Sequence, residues 1–279
     1  MNSETINLPI INLSNLKQQT PTWESVKTQT LKALQEYGCF EALFDEITLT
    51  LRKSTVDGLK LLFDLPLESK LRNKSNKPYH GFFGQHAMVP LYESLGIANT
   101  FSHGQIDNFT NLMWFEGNPI LSKNIESFSE QLSELEKIVR KMVLEGKYDG
   151  PKCDETKLGL SAHTDKNMVT ILYGNEVRGL QVLTKDGKWI NAEPSLNSQC
   201  LYWRIFPYHR VMMTGDEDRY SIGLFSIPKS GYIIKAPEEM VDEDHQLLFN
   251  PFDHFKFLDF YYSEAGRSSP AALKAYYGA

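Results

Sequence analysis

From about residue 158 onward the sequence breaks into short runs rich in β-branched and aromatic residues: MVTILY, GLQVLT, KWINAEP, CLYWRIF, HRVMMT, YSIGLFSIP and GYIIKAP. Turn signals separate them, among them Lys185-Asp186-Gly187 and Thr214-Gly215-Asp216-Glu217-Asp218. Strands of this length at this spacing predict an antiparallel sandwich or barrel.

The first half carries helical periodicity instead. LPIINLS, residues 8–14, reads as a short leading strand, and Val26, Leu31, Leu34 and Tyr37 then mark an amphipathic helix stopped by Gly38. A second helix is expected where Leu51, Val56, Leu59 and Leu62 recur, closed by Pro66. The third is the clearest: Ile125, Phe128, Leu132, Leu135, Ile138, Val139 and Met142 form one apolar stripe, with Gly146 as its stop signal. Between the second and third lies a Pro/Gly/aromatic stretch with little periodicity, read as loop. The C-terminal stretch returns to helical spacing. The expected organisation is therefore an N-terminal helical region over 1–150 with a leading strand, a β core over 151–240 and a C-terminal helical segment over 241–279.

Charge and composition narrow the function classes. Lys plus Arg number 29 against 35 Asp plus Glu, so a net charge of -6 offers no basic field for nucleic acid. No apolar run reaches the roughly 18 residues of a membrane span, and the polar start lacks the features of a signal peptide. Cys39, Cys153 and Cys200 are isolated thiols without metal-knuckle or disulfide spacing. A cytoplasmic protein is expected.

His163-Thr164-Asp165 stands in front of an apolar run. On a strand, residues i and i+2 share a face, so an imidazole and a carboxylate could converge on one point. By itself the pair reads equally well as two polar residues at a strand end. His209, 44 residues after Asp165, could add a third donor from the strand HRVMMT. Two His and one carboxylate on one octahedral face suit iron(II), whereas zinc would favour tetrahedral closure. Arg219 and Ser221 again share a strand face, and together they could grip a carboxylate.

The segments HTDKNMVTILY, PYHRVMMTG and RYSIGLFSIPK resemble the plant 2-oxoglutarate and iron(II)-dependent dioxygenases, in particular the branch that modifies glucosinolate side chains. The likeness extends through LPIINLS, LFDLPLESK, YHGFFGQHAMVPLYESLGI and FDHFKFLDFYYSEAG, nearly the whole chain. It implies a double-stranded β-helix, or jelly roll, with flanking helices, the core falling in 151–240. It implies that His163, Asp165 and His209 bind Fe(II) as the catalytic metal site, and that Arg219 and Ser221 hold the distal carboxylate of 2-oxoglutarate. It further implies an oxidoreductase that oxidises a small secondary-metabolite or hormone-like molecule, releases succinate and CO2, and is supported by ascorbate; a monomer is expected. Phe82, Phe83, Phe101 and Trp114 could line an apolar substrate pocket, or serve simply as core aromatics.

Two stretches are shorter than in that family. GKYDGPKCDETK leads from the third helix to the His-x-Asp run, leaving little chain for a first jelly-roll strand. CLYWRIF runs straight into PYHR, where relatives carry an extra hairpin. A jelly roll lacking one or two strands is expected. The contractions allow a second reading: an impaired or inactive member that keeps its metal ligands, as a splice or gene-model product or a decayed paralogue.

Overall fold

Helix α1 (Pro21–Tyr37) begins where the Thr20 hydroxyl accepts the Trp23 N–H at 3.2 Å, with proline at the first helical position, where no N–H is needed. It ends where Gly38 adopts φ 75°, a left-handed conformation that glycine enters without a Cβ clash. These coordinates come from a computed structural model, which describes residues 8–75, 80–85, 91–145, 166–167, 169–175, 177, 179–192, 198–203, 208–212, 217–236, 241, 246–247, 249–269 and 271–278. They fall into two compact units, Met1–Asp165 with Val169–Phe225, and Lys166–Met168 with Ser226–Ala279.

In the first unit, β1 (Ile10–Asn12) precedes α1, and β2 (Cys39–Leu43) follows it directly. Thr48 caps α2 (Leu49–Phe63) as Thr20 caps α1. Pro66, expected to close α2, instead opens the short α3 (Leu67–Lys70), because α2 has already ended at Phe63. The stretch read as loop holds a two-stranded hairpin of β3 (Phe82–Phe83) and β4 (Ser94–Leu95). Then come α4 (Gln105–Met113) and the 27-residue α5 (Pro119–Glu145).

The strands that follow are β5 (Val169–Gly174), β6 (Leu180–Leu183), β7 (Trp189–Asn191), β8 (Ser198–Trp203), β9 (His209–Val211) and β10 (Ser221–Ser226). The chain crosses repeatedly between two sheets, only β6 and β7 being consecutive in one. One has the order β1-β2-β8-β5-β10, the other β7-β6-β9. β2 with β8, β5 with β8, β6 with β7 and β6 with β9 run antiparallel, and β1 runs parallel to β2. That crossing pattern is jelly-roll connectivity. Six strands of it, β5 to β10, lie among the described residues, where a complete jelly roll has about eight.

Period-2 geometry gives the larger sheet two dry faces. Val169, Ile171 and Tyr173 of β5 pack with Phe128, Leu132, Leu135, Val139 and Met142, the predicted stripe of α5. Leu172, on the other face, packs with Cys39 of β2 and with Leu180, Val182, Ile190 and Val211 of the smaller sheet. Each such side chain removed from water contributes roughly 1.5–3 kcal/mol. The two sheets therefore face one another across a core of their own, with the helices behind the larger one.

The second unit pairs β11 (Ile233–Ile234) with β12 (Phe252–Asp253) and adds α6 (His254–Tyr262), α7 (Glu264–Arg267) and α8 (Ala272–Tyr277). Phe260 stacks on Tyr276 at 4.4 Å and Phe252 on Tyr277 at 5.0 Å, so aromatic pairs dock α8 within this unit.

Candidate active site

His209 opens β9, a strand of three residues, and its direction is set by β6. It pairs directly with Val182, as Val211 pairs with Leu180. Opposed residues of an antiparallel ladder share a face, and Leu180 and Val182 lie in the core between the sheets. The imidazole is therefore on the inner face, and the residue is buried. On the outer face Arg210 Nε donates to Gln181 Oε1 at 2.8 Å, and Gln181 Nε2 donates to Asn191 Oδ1 at 2.9 Å. A slip of one residue would break this ladder and turn His209 outward.

Arg219 immediately precedes Tyr220 and β10. Ile222 and Leu224 pack against the cluster built on α5, and Tyr220 and Ile222 against the cluster built on α2 and α4. Residues 219 and 221 consequently belong to the opposite face, as period 2 requires. The Arg219 side chain passes close to two glycines. A Cβ on Gly174 would lie 3.3 Å from its Nη2, and one on Gly179 would lie 3.6 Å from its Cδ. Gly179 has φ +153° and would bring a Cβ within 2.9 Å of the Met212 carbonyl, so only glycine fits there. Ser221 is exposed on that face. A planar guanidinium beside a hydroxyl can receive a carboxylate through two N–H donors and one O–H. Behind them, burial and the neighbouring Asp218 carboxylate push the Tyr220 phenol above its ordinary value.

His163 and Asp165 lie outside the described residues, as does Gly146. Among the described residues no three His, Cys, Asp or Glu side chains converge as a metal site. Of the candidate pocket aromatics, Phe82 lies under the Lys70 ammonium at 5.8 Å, Phe83 pairs with Tyr92 at 5.9 Å, and Phe101 is exposed. Trp114 caps α4 and, half-buried, packs against the helical cluster, as Leu95 and Tyr220 do. Sequence reasoning passed over Gln181, Arg210 and Asn175, all polar residues whose partners are far away in the chain. Their only signal is an outward position on short strands or at a strand end.

Residues 140–228 match the family model of the 2OG-Fe(II) oxygenase superfamily, and residues 8–109 match that of the non-haem dioxygenase in morphine synthesis N-terminal region. The chain is 43% identical to the probable 2-oxoglutarate-dependent dioxygenase AOP1.2 of Arabidopsis thaliana, covering 98% of this chain and 97% of that one. The alignment runs to 314 positions against 279 residues, so at least 35 positions face no residue of this chain. It is also 29% identical to the 2-oxoglutarate-dependent dioxygenase AOP3 of the same plant, over 100% of this chain and 99% of that one. Among solved structures, the dioxygenase for auxin oxidation of rice superposes with a TM-score of 0.78 at 23% identity, covering 98% of this chain and 100% of that one. That likeness supports the double-stranded β-helix fold. No helix among the described residues is long and apolar enough to cross a membrane.

Proposed function

Because the chain belongs to the 2OG-Fe(II) oxygenase superfamily, we propose that His163, Asp165 and His209 hold iron(II) while Arg219 and Ser221 hold the distal carboxylate of 2-oxoglutarate. The residues present fit those groups. His209 is a buried imidazole on the inner face, and two His with one carboxylate form the donor set that suits iron(II) with open positions. Arg219 and Ser221 lie on one face at the start of β10, with Arg219 passing over two glycines, a seat matched to a carboxylate.

When bound, iron and 2-oxoglutarate supply the oxidation: dioxygen is consumed, the cosubstrate leaves as succinate and CO2, and a substrate bond is oxidised. The chain's own part is placement. Arg219 neutralises the distal carboxylate, Ser221 adds a donor, and the apolar residues between the sheets keep bulk water from the metal side of β9. The substrate we infer is a small secondary-metabolite or hormone-like molecule, glucosinolate side chains included. The support is the likeness to AOP1.2 and to the rice dioxygenase for auxin oxidation. A monomer in the cytoplasm is the accompanying reading, supported by the isolated thiols and the net charge of -6.

The observation that carries this proposal is the inward placement of His209 by its pairing with Val182. Purified protein supplied with iron(II), ascorbate and 2-oxoglutarate should release succinate, and Asp165→Ala should reduce that by on the order of a hundredfold or more. Succinate release unchanged by that substitution would overturn the assignment.

A further inference from the structure

Arg219 lies outside the hydrogen-bonded ladder of the larger sheet, since β10 begins only at Ser221. Something other than strand pairing must fix its backbone. Asn175, one residue beyond β5, makes three hydrogen bonds to that segment. Its Nδ2 donates to the Asp218 carbonyl at 2.9 Å, its Oδ1 accepts the Tyr220 N–H at 3.0 Å, and its own backbone N–H donates to the Tyr220 carbonyl at 3.0 Å.

The Asp218 carbonyl belongs to the peptide unit before the Arg219 Cα, and the Tyr220 N–H to the unit after it. One carboxamide thus grips both peptide planes that define the Arg219 φ and ψ. A carboxamide carries a donor and an acceptor in one planar group, which is what spanning these two peptide units requires. Asparagines at strand ends ordinarily bond their own turn two residues on. Here the side-chain partners are 43 and 45 residues away. Gly174, the adjacent residue, is the one whose missing Cβ leaves room for the Arg219 guanidinium. Clamp and clearance therefore sit side by side on the same short segment.

We propose that Asn175 is a positioning residue for cosubstrate binding, which aims Arg219 at the distal carboxylate of 2-oxoglutarate by fixing the backbone on both sides of it. The inference rests on the function proposed above. Loss of the two side-chain hydrogen bonds predicts weakening by roughly 5- to 150-fold where the geometry they fix is used in binding.

The test is calorimetric titration of the Mn(II)-loaded full chain, wild type and Asn175→Ala, with 2-oxoglutarate and with 2-oxobutanoate. The second ligand keeps the 2-oxo acid head and lacks the distal carboxylate. Wild type should bind 2-oxoglutarate, and Asn175→Ala should bind it at least about fivefold more weakly while 2-oxobutanoate binding stays within about twofold. Equal 2-oxoglutarate affinity in the two proteins overturns the inference and leaves the proposed function standing. So does an equal loss for both ligands, which would mean a loosened fold rather than a misaimed arginine. Wild type that takes up no 2-oxoglutarate overturns the proposed function itself. If Asn175→Ala does not fold, Asn175→Asp replaces it: the acceptor for Tyr220 is kept, the donor to Asp218 is lost, and the same selective weakening is expected.

Discussion

The guanidinium carbon of Arg210 lies 4.0 Å from the ring centroid of Trp189, over the outer face of the smaller sheet. Its neighbour His209 points the opposite way. The contact ties the shortest strand of the site to the β6–β7 hairpin, so the outer face holds what the inner face uses. Arg210→Ala should lower unfolding stability by about 1–2 kcal/mol, from the lost cation–π contact and the lost bond to Gln181. Mn(II) affinity should fall with it, as measured by paramagnetic resonance titration, whereas Arg210→Lys should recover part of the stability through the same ring.

Gly174→Ala tests the seat of Arg219 from below. The added methyl would press on Nη2 at 3.3 Å, and a flexible guanidinium can yield by moving off its line. Thermal stability should change by less than about 1 kcal/mol. Affinity for 2-oxoglutarate should drop by about an order of magnitude, read by the same titration used for Asn175.

Lys70 is a buried ammonium held by the Glu93 carboxylate at 2.6 Å and by the Phe63 carbonyl at 3.0 Å. Removing the carboxylate leaves a charge without its counter-ion, so Glu93→Ala should destabilise by about 1–4 kcal/mol. Hydrogen exchange should locate the loss first at Phe82–Phe83 and Ser94–Leu95, the hairpin strands beside the pair.

His254, the first residue of α6, is buried, and its Nε2 has no hydrogen-bond partner among the described residues. Burial pushes its imidazole below the ordinary value of 6.5, only partly opposed by the Asp253 carboxylate. The unfolded chain, with an ordinary imidazole near 6.5, then takes up a proton before the folded chain does. Stability should therefore decline as pH falls through about 6.5, and the decline should level off below the lower folded value. Urea denaturation between pH 7.5 and 5.5, as chosen experimental limits at about the range where imidazole titrates, should show a steeper loss for wild type than for His254→Leu.

How far the sequence carried the structure depends on which partner a segment uses. The α5 stripe was legible because its seven apolar residues recur at helical spacing, and α1 ended at Gly38 because left-handed backbone favours glycine. β2 was not legible: CFEAL has no turn signal of its own, and it becomes a strand through pairing with β1 and β8, more than a hundred residues away in the second case. α4 escaped for a different reason. Ile106, Phe109, Thr110 and Met113 are helically spaced, but Gly104 offers no side-chain cap and the flanks are rich in turn formers. For the proposed site, only the strand positions of His209 and of the Arg219–Ser221 segment could be read from residue type and period 2. Asn175 could not, because a carboxamide at a strand end looks the same whether it serves its own turn or a backbone 43 residues away.

The register that sets Cys39 against Tyr202 also fixes when the larger sheet can form. A ribosome delivers the chain from its N-terminus, so β2 emerges with β1 as its only available neighbour and waits for some 160 further residues before β8 exists. During that interval one long edge of β2 presents open backbone donors and acceptors, and α1 and α5 lack the sheet face they are built to cover. The nascent chain is thus committed to late, long-range closure, and its yield in a cell should depend on chaperones that shield the N-terminal half until residue 203 has been made.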